Sequence, residues 1–246
     1  MNKCLQHAPG YAFSGMREDL YVLELDEMQQ SAVDLEDPTH LFFDYTRRIG
    51  DIIDRLPDGP LRVVHVGGAA MTLPRYVHAT RPRSSQIVLE PSTELVERVR
   101  AEAPLPPRSG IKVRPVDGLN GMRSVRDGFA DLVILDAFDR ARTPTELTSA
   151  AFVEDVRRAL SPGGVFVANL VDRAPFTRVR DFVAAARDLG SMAIGVEPAT
   201  AKGRRSGNLV IACGTLPPAP FGTPPPMEYR TFSGRAVADS FGGGRP

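Results

Sequence analysis

Leu61-Arg62-Val63-Val64-His65-Val66-Gly67-Gly68 is a β-branched run that breaks into glycines, and Ser85-Gln86-Ile87-Val88-Leu89-Glu90 is a second apolar run ending in an acid. Each reads as a buried strand, too short for a helix and bounded by turn residues. Three more runs follow: Ile111–Gly118, Asp131–Asp139 and Gly164–Leu170. Helical patterning lies between them. Pro91–Arg100 has Ser92 or Thr93 as a candidate N-cap and Glu94 in its first turn. Ser149–Leu160 is stopped by Ser161-Pro162-Gly163-Gly164, and Phe176–Gly190 has the same amphipathic spacing. Strand followed by helix, repeated, predicts an α/β fold with a doubly wound, mostly parallel sheet. Met192–Val196 and Asn208–Cys213 supply two last strands, read as an antiparallel hairpin.

Outward from this core the chain changes character. Leu20–Leu35 alternates in a strand-like way, and His40–Leu56 is an amphipathic helix, so residues 1–50 read as a small β-hairpin unit with the start of a linking helix. Such a unit is placed to cover the carboxyl edge of the sheet, where open α/β folds bind ligands. Residues 51–214 form the expected nucleoside-binding domain. From Thr215 onward, 12 of 32 residues are Gly or Pro, which reads as a tail that wraps the surface or stays unfolded, with the folded domain ending near Gly214. The 246 residues carry 30 basic and 30 acidic side chains, so no global field favours nucleic acid or an anionic membrane. No apolar run approaches the ~18 residues of a membrane span. Two cysteines exclude a disulfide scaffold, and without an apolar leader the expected location is the cytoplasm. His7, His65 and His78 lack ligand-like spacing; they read as core or surface residues, and no metal is expected.

The strand ends carry the chemistry. Gly67 and Gly68 form a tight turn through which backbone can approach a ligand, although the pattern is not GxGxxG and Pro74 is expected to interrupt the next helix early. Glu90, about twenty residues on, stands where an acid accepts two hydrogen bonds from a ribose diol. Asp117-Gly118 follows the third strand, where a carboxylate can receive the exocyclic amine of adenine. Asp136 and Asp139 close the fourth, a pair suited to holding an amine and accepting its proton. Acids after successive strands, without a P-loop or phosphate-binding lysine, suggest a nucleoside carrying a cation. S-adenosylmethionine or its decarboxylated form fits.

These residues resemble the spermidine synthase (polyamine aminopropyltransferase) family, in its divergent bacterial branch, from about Tyr21 to Gly214. Leu25-Asp26-Glu27-Met28-Gln29-Gln30 is similar to the family's L-D-G-x-x-Q, and His40 falls near the histidine of its Y-H-E motif. Asp136 and Asp139 match the acids of D-x-x-D-P. The resemblance implies a class I methyltransferase-type (Rossmann-like) fold and a homodimer. It implies aminopropyl transfer from decarboxylated S-adenosylmethionine to a putrescine-like amine, releasing methylthioadenosine. It assigns Asp136 as general base and Asp139 and Gln30 to the acceptor amine. Gln30, His40, Gly67, Gly68, Glu90, Asp117, Gly118 and Asp136 fall to the donor.

Two departures stand out. The family's G-G-G-D-G-G turn is here Gly67-Gly68-Ala69-Ala70-Met71-Thr72, without the acid that meets the aminopropyl amine, and its P-x-G-P loop is Arg140-Ala141-Arg142-Thr143-Pro144. Arginines at that rim discourage a polycation. An S-adenosylmethionine-dependent methyltransferase and a catalytically degenerate nucleoside-binding paralogue are therefore the alternative expectations.

Overall fold

In the computed structural model, residues 12–15, 20–25, 28–138, 142–222 and 229–245 are described, with side chains from Ser31 onward. A three-stranded antiparallel sheet leads, made of β1 (Ala12–Gly15), β2 (Leu20–Leu25) and β3 (Met28–Asp34). Helix α1 (Asp44–Arg55) joins it to β4 (Arg62–Val66), α2 (Thr72–Thr80), β5 (Ser85–Leu89), α3 (Thr93–Glu102), β6 (Ile111–Arg114), α4 (Gly118–Arg123) and β7 (Ala130–Leu135). There follow α5 (Ala150–Ala159), β8 (Leu160–Asp172), α6 (Thr177–Ala186), β9 (Ser191–Val196), α7 (Pro198–Ala201) and β10 (Gly207–Gly214), then β11 (Arg230–Ser233) and α8 (Arg235–Phe241). The second sheet has eight strands in the order β6-β5-β4-β7-β8-β10-β9-β11, parallel from β6 to β8 and antiparallel beyond.

The strands are apolar on both faces because helices cover both, as a parallel sheet requires. Val64, Val66, Val133, Leu135, Phe166 and Ile211 pack under α5 and α6 with Phe152 and Phe182. Val63, Leu132, Ile134, Val167 and Val210 face α1 and α2. Helix α1 supplies Ile49, Ile52, Ile53 and Leu56, the i, i+3, i+4, i+7 stripe of a core-facing helix. Ser92 caps α3 by accepting from Leu95 N at 3.1 Å, and Ser149 caps α5 by accepting from Phe152 N at 3.2 Å.

Two local expectations differ from what is found. Pro74 does not interrupt α2, since it lies in the first turn, where the missing N–H has no intrahelical partner to lose. The sheet also does not stop near Gly214: β11 pairs antiparallel with β9, and Phe221, Val237 and Phe241 are buried. Phe241 packs edge-on against Phe176 and Phe232 with centroids 5.5 and 5.2 Å away. A few apolar anchors hold the Pro/Gly-rich segment, and average composition hides them.

Candidate active site

Order in the sheet reverses at β4: β5 and β6 lie to one side, β7 and β8 to the other. This switch point opens a crevice at the carboxyl ends of the strands. Register then decides which residues meet there. Val66 stands opposite both Leu89 of β5 and Leu135 of β7, so the next residues, Gly67, Glu90 and Asp136, emerge at one level. Leu135 stands opposite Ala168, which sets Asn169 beside Asp136.

A cavity of about 390 Å³ occupies the crevice, its wall including Gly67, Gly68, Glu90, Asp117, Gly118 and Asp136. Six of the residues expected from sequence are thus brought together. Glu90 Oε2 accepts from Gly68 N and Ala69 N at 3.0 and 3.3 Å, and Oε1 from Ser92 N at 3.0 Å. The acid therefore holds the glycine turn as well as facing the cavity. Asp117 caps α4, accepting from Asn120 N at 2.9 Å and from Asn120 Nδ2 at 2.8 Å; those bonds, the backbone one foremost, hold its pKa below the usual carboxylate value. His40 lies elsewhere, with Nδ1 3.0 Å from Asp34 Oδ2 and outside the cavity wall. Asp139, Arg140 and the side chain of Gln30 lie outside the described residues.

Gly67 has φ +91°, and a Cβ there would sit 2.5 Å from the Asp136 carbonyl oxygen and 2.8 Å from Ala137 Cα. Gly67→Ala is expected to push β4 and β7 apart at the cavity floor, costing roughly 1–3 kcal/mol for the backbone conformation alone. Thermal melting and nucleoside binding should both fall; a variant unchanged in both contradicts this reading of the turn.

Asp136 is the chemically distinctive group. Burial raises its pKa to about 6, against the opposing effect of two hydrogen bonds, from Asn169 and Tyr45. Asn169 Nδ2 donates to Oδ1 at 3.0 Å. The Tyr45 phenol, whose own pKa is driven well up by burial and by the Asp136 charge, stays protonated as a donor. Near neutral pH Asp136 is thus a carboxylate whose proton affinity is high for its type, as a general base requires.

Tyr45 and Asn169 were not among the expected site residues. An Asn inside the apolar run Gly164–Leu170 was a visible signal, since a buried strand accepts an amide only where it has partners. Tyr45 gave less: it lies at the start of α1 five residues past His40, and only the packing of α1 on the sheet, beside α2 and over β10, brings its hydroxyl to the crevice.

No protein-family model matches the chain. The polyamine aminopropyltransferase of Chromobacterium violaceum is 29% identical over 144 residues, 58% of this chain and 54% of that protein. That of Neisseria meningitidis serogroup A is 23% identical over 141 residues, 57% of this chain and 53% of the relative. The chain spans about half the length of the curated relatives it matches. Among solved structures, a probable spermidine synthase from Corynebacterium glutamicum superposes with a TM-score of 0.76 at 28% identity, covering 83% of this chain and 75% of that one. A spermidine synthase in complex with the transition-state analogue AdoDATO shares the fold, with a TM-score of 0.58 at 18% identity over 94% of this chain and 85% of that one. The chain is therefore spermidine-synthase-like, similar in sequence and in fold to the polyamine aminopropyltransferases.

Proposed function

We propose that the protein transfers an aminopropyl group from decarboxylated S-adenosylmethionine to a small amine and releases methylthioadenosine. The observation that carries this reading is Asp136. A carboxylate with a raised pKa, oriented by Asn169 and Tyr45, shares a cavity with a ribose-type acid, Glu90, and an adenine-side acid, Asp117. The donor set suits an adenosyl sulfonium: carboxylates for the diol and the exocyclic amine, and a glycine turn that lets backbone close on the nucleoside.

In the step itself, the nitrogen lone pair of the acceptor attacks the carbon bonded to sulfur. The carbon–sulfur bond breaks, and its electron pair neutralises the sulfonium as a thioether. The new ammonium gives a proton to Asp136. The sulfonium is already a good leaving group, so the protein's contribution is orientation and the proton acceptor. Asp139 and Gln30 belong to this proposal as acceptor-binding residues. A homodimer and a cytoplasmic setting are further parts of it; light scattering on the purified chain checks the first.

The direct test is incubation with decarboxylated S-adenosylmethionine and putrescine, reading methylthioadenosine release. The intact donor in a parallel reaction addresses the methyltransferase reading, which the lost acid at Ala70 favours. S-adenosylhomocysteine as the product would replace the proposal, and no product from either donor would point to the degenerate paralogue. Glu90→Ala removes charged hydrogen bonds of about 1.5–3 kcal/mol and is expected to weaken methylthioadenosine binding by roughly 10- to 100-fold. Calorimetry reads this, and affinity within twofold of wild type would remove Glu90 from the nucleoside site.

A further inference from the structure

Alternation along β4 turns Val64 and Val66 toward α5 and α6, and Val63 and His65 toward α1 and α2. His65 is only 1% exposed, yet it forms part of the cavity wall, as do Thr46, Leu73 and Pro74. Its Nε2 lies 2.8 Å from Gln86 Oε1, and Gln86 Nε2 donates to the Pro74 carbonyl at 3.0 Å. This relay sets the tautomer. The Gln86 amide nitrogen is spent on Pro74, so Oε1 faces the ring and accepts, Nε2 carries the hydrogen, and Nδ1 is left with a lone pair. Burial lowers the ring's pKa to about 4, so the imidazole is neutral at physiological pH.

That Nδ1 is buried and has no hydrogen-bond partner among the described residues. An unpaired acceptor in the interior is unfavourable, and one on a residue that lines a ligand cavity points to a donor group on the ligand. The nucleoside end is accounted for by Glu90 and Asp117, and the reacting nitrogen by Asp136. What remains is the cationic end of the donor's alkyl chain. The glycine turn offers it no acid, because Ala70 is buried among Val33, Met71, Val88 and Leu95. Of the other polar groups on the wall, the Thr46 hydroxyl is committed to the Phe43 carbonyl, the Thr72 hydroxyl to the Ala32 carbonyl and to Ser31 Oγ, and Asn120 Nδ2 to Asp117. The exposed Glu146 stands beside Leu147, which packs on Gly118 at the Asp117 end of the cavity.

We propose that His65 Nδ1 accepts a hydrogen bond from the terminal ammonium of the donor's alkyl chain, in the part the glycine-turn acid would otherwise play. The proposal rests on the adenosyl-sulfonium reading of the cavity and adds the residue that recognises the tail. A neutral imidazole binds an ammonium through one lone pair rather than a full charge, so the hold on the tail is looser and less salt-dependent than a carboxylate's.

The test compares two probes by calorimetry: decarboxylated S-adenosylmethionine, which has the ammonium, and methylthioadenosine, which lacks it. His65→Leu is expected to weaken the first about tenfold and to leave the second within twofold. Equal losses for both probes, or none for either, overturn the assignment while leaving the nucleoside reading in place. Failure of the wild-type chain to bind either probe overturns both together. A second measurement uses the wild-type protein and does not depend on the folding of the variant. The ¹⁵N resonance of His65 Nδ1 should shift on adding decarboxylated S-adenosylmethionine and stay in place with methylthioadenosine. A resonance unmoved by the first probe contradicts the hydrogen bond.

Discussion

Asp136→Asn is expected to lower methylthioadenosine release by about 10²- to 10⁴-fold, the usual contribution of a positioned proton acceptor, while methylthioadenosine still binds. Asn fills the same volume, and Tyr45 can still donate to its amide oxygen, so the cavity keeps its shape. What is lost is the site where the proton goes. Because Asp136 titrates at about 6, wild-type turnover should rise with pH through that value as the carboxylate forms. Near-wild-type turnover by Asp136→Asn, or a rate flat between pH 5 and 7, would remove Asp136 as base.

The same residue predicts a stability effect of opposite sense. An aspartate unfolded has its pKa near 3.8 and here it is raised to about 6, so the folded chain binds the proton more tightly than the unfolded one. This contribution to stability is fully present below about pH 4 and is lost as pH rises through 6, leaving at neutral pH a cost of up to about 3 kcal/mol for keeping the charge in place. Asp136→Asn removes that cost. Its melting temperature should match or fall below wild type at pH 4 and exceed it at pH 7.5. A difference that does not change with pH would show that the folded chain does not raise the Asp136 pKa.

The central sheet was legible because its strands are buried on both faces and bounded by glycine, proline and acids, a pattern that survives without tertiary information. Glu90, Asp117 and Asp136 were legible for a related reason: parallel strands deliver the residue after each strand to one edge, so linear position nearly determines location. His40 shows where that logic ends. Its motif neighbours were not retained, and in the loop before α1 linear spacing does not determine which residue reaches the crevice; Tyr45, five positions later, does. His65 was read as a residue of the core or the surface. It is buried, but the core reading could not show an imidazole with one nitrogen tied to Gln86 and the other unpaired, because that depends on the strand alongside. The segment after Gly214 is only partly legible, for a different reason. Its average composition disfavours a core, whereas its attachment depends on Phe221, Val237 and Phe241 individually.

That segment is also attached electrostatically, and this leads to the second large expected effect. Arg48 of α1 has a side chain only 2% exposed, with Nη1 2.9 Å from Asp51 Oδ2 and Nη2 3.8 Å from Asp44 Oδ1. Nη1 also donates to the Gly222 carbonyl at 2.5 Å, Asp51 accepts from Gly222 N at 2.9 Å, and the guanidinium lies 4.9 Å from the Tyr229 ring centroid. One cation thus neutralises two acids of α1 and ties the chain after β10 to the helix that presents Tyr45. Arg48→Met keeps the aliphatic bulk but takes from Asp44 and Asp51 their buried cation, leaving Asp51 the more exposed Arg55 at 3.4 Å, a loss of about 3–5 kcal/mol. For a chain of this size that corresponds to a fall in melting temperature of roughly 10 °C or more. Residues 215–245 should become cleavable by protease at temperatures where the wild type resists. Adding Asp51→Asn to Arg48→Met should recover part of the loss by removing a charge that Arg55 only partly offsets. If the double variant melts no higher than the single one, packing of the arginine stem rather than charge neutralisation holds the segment in place.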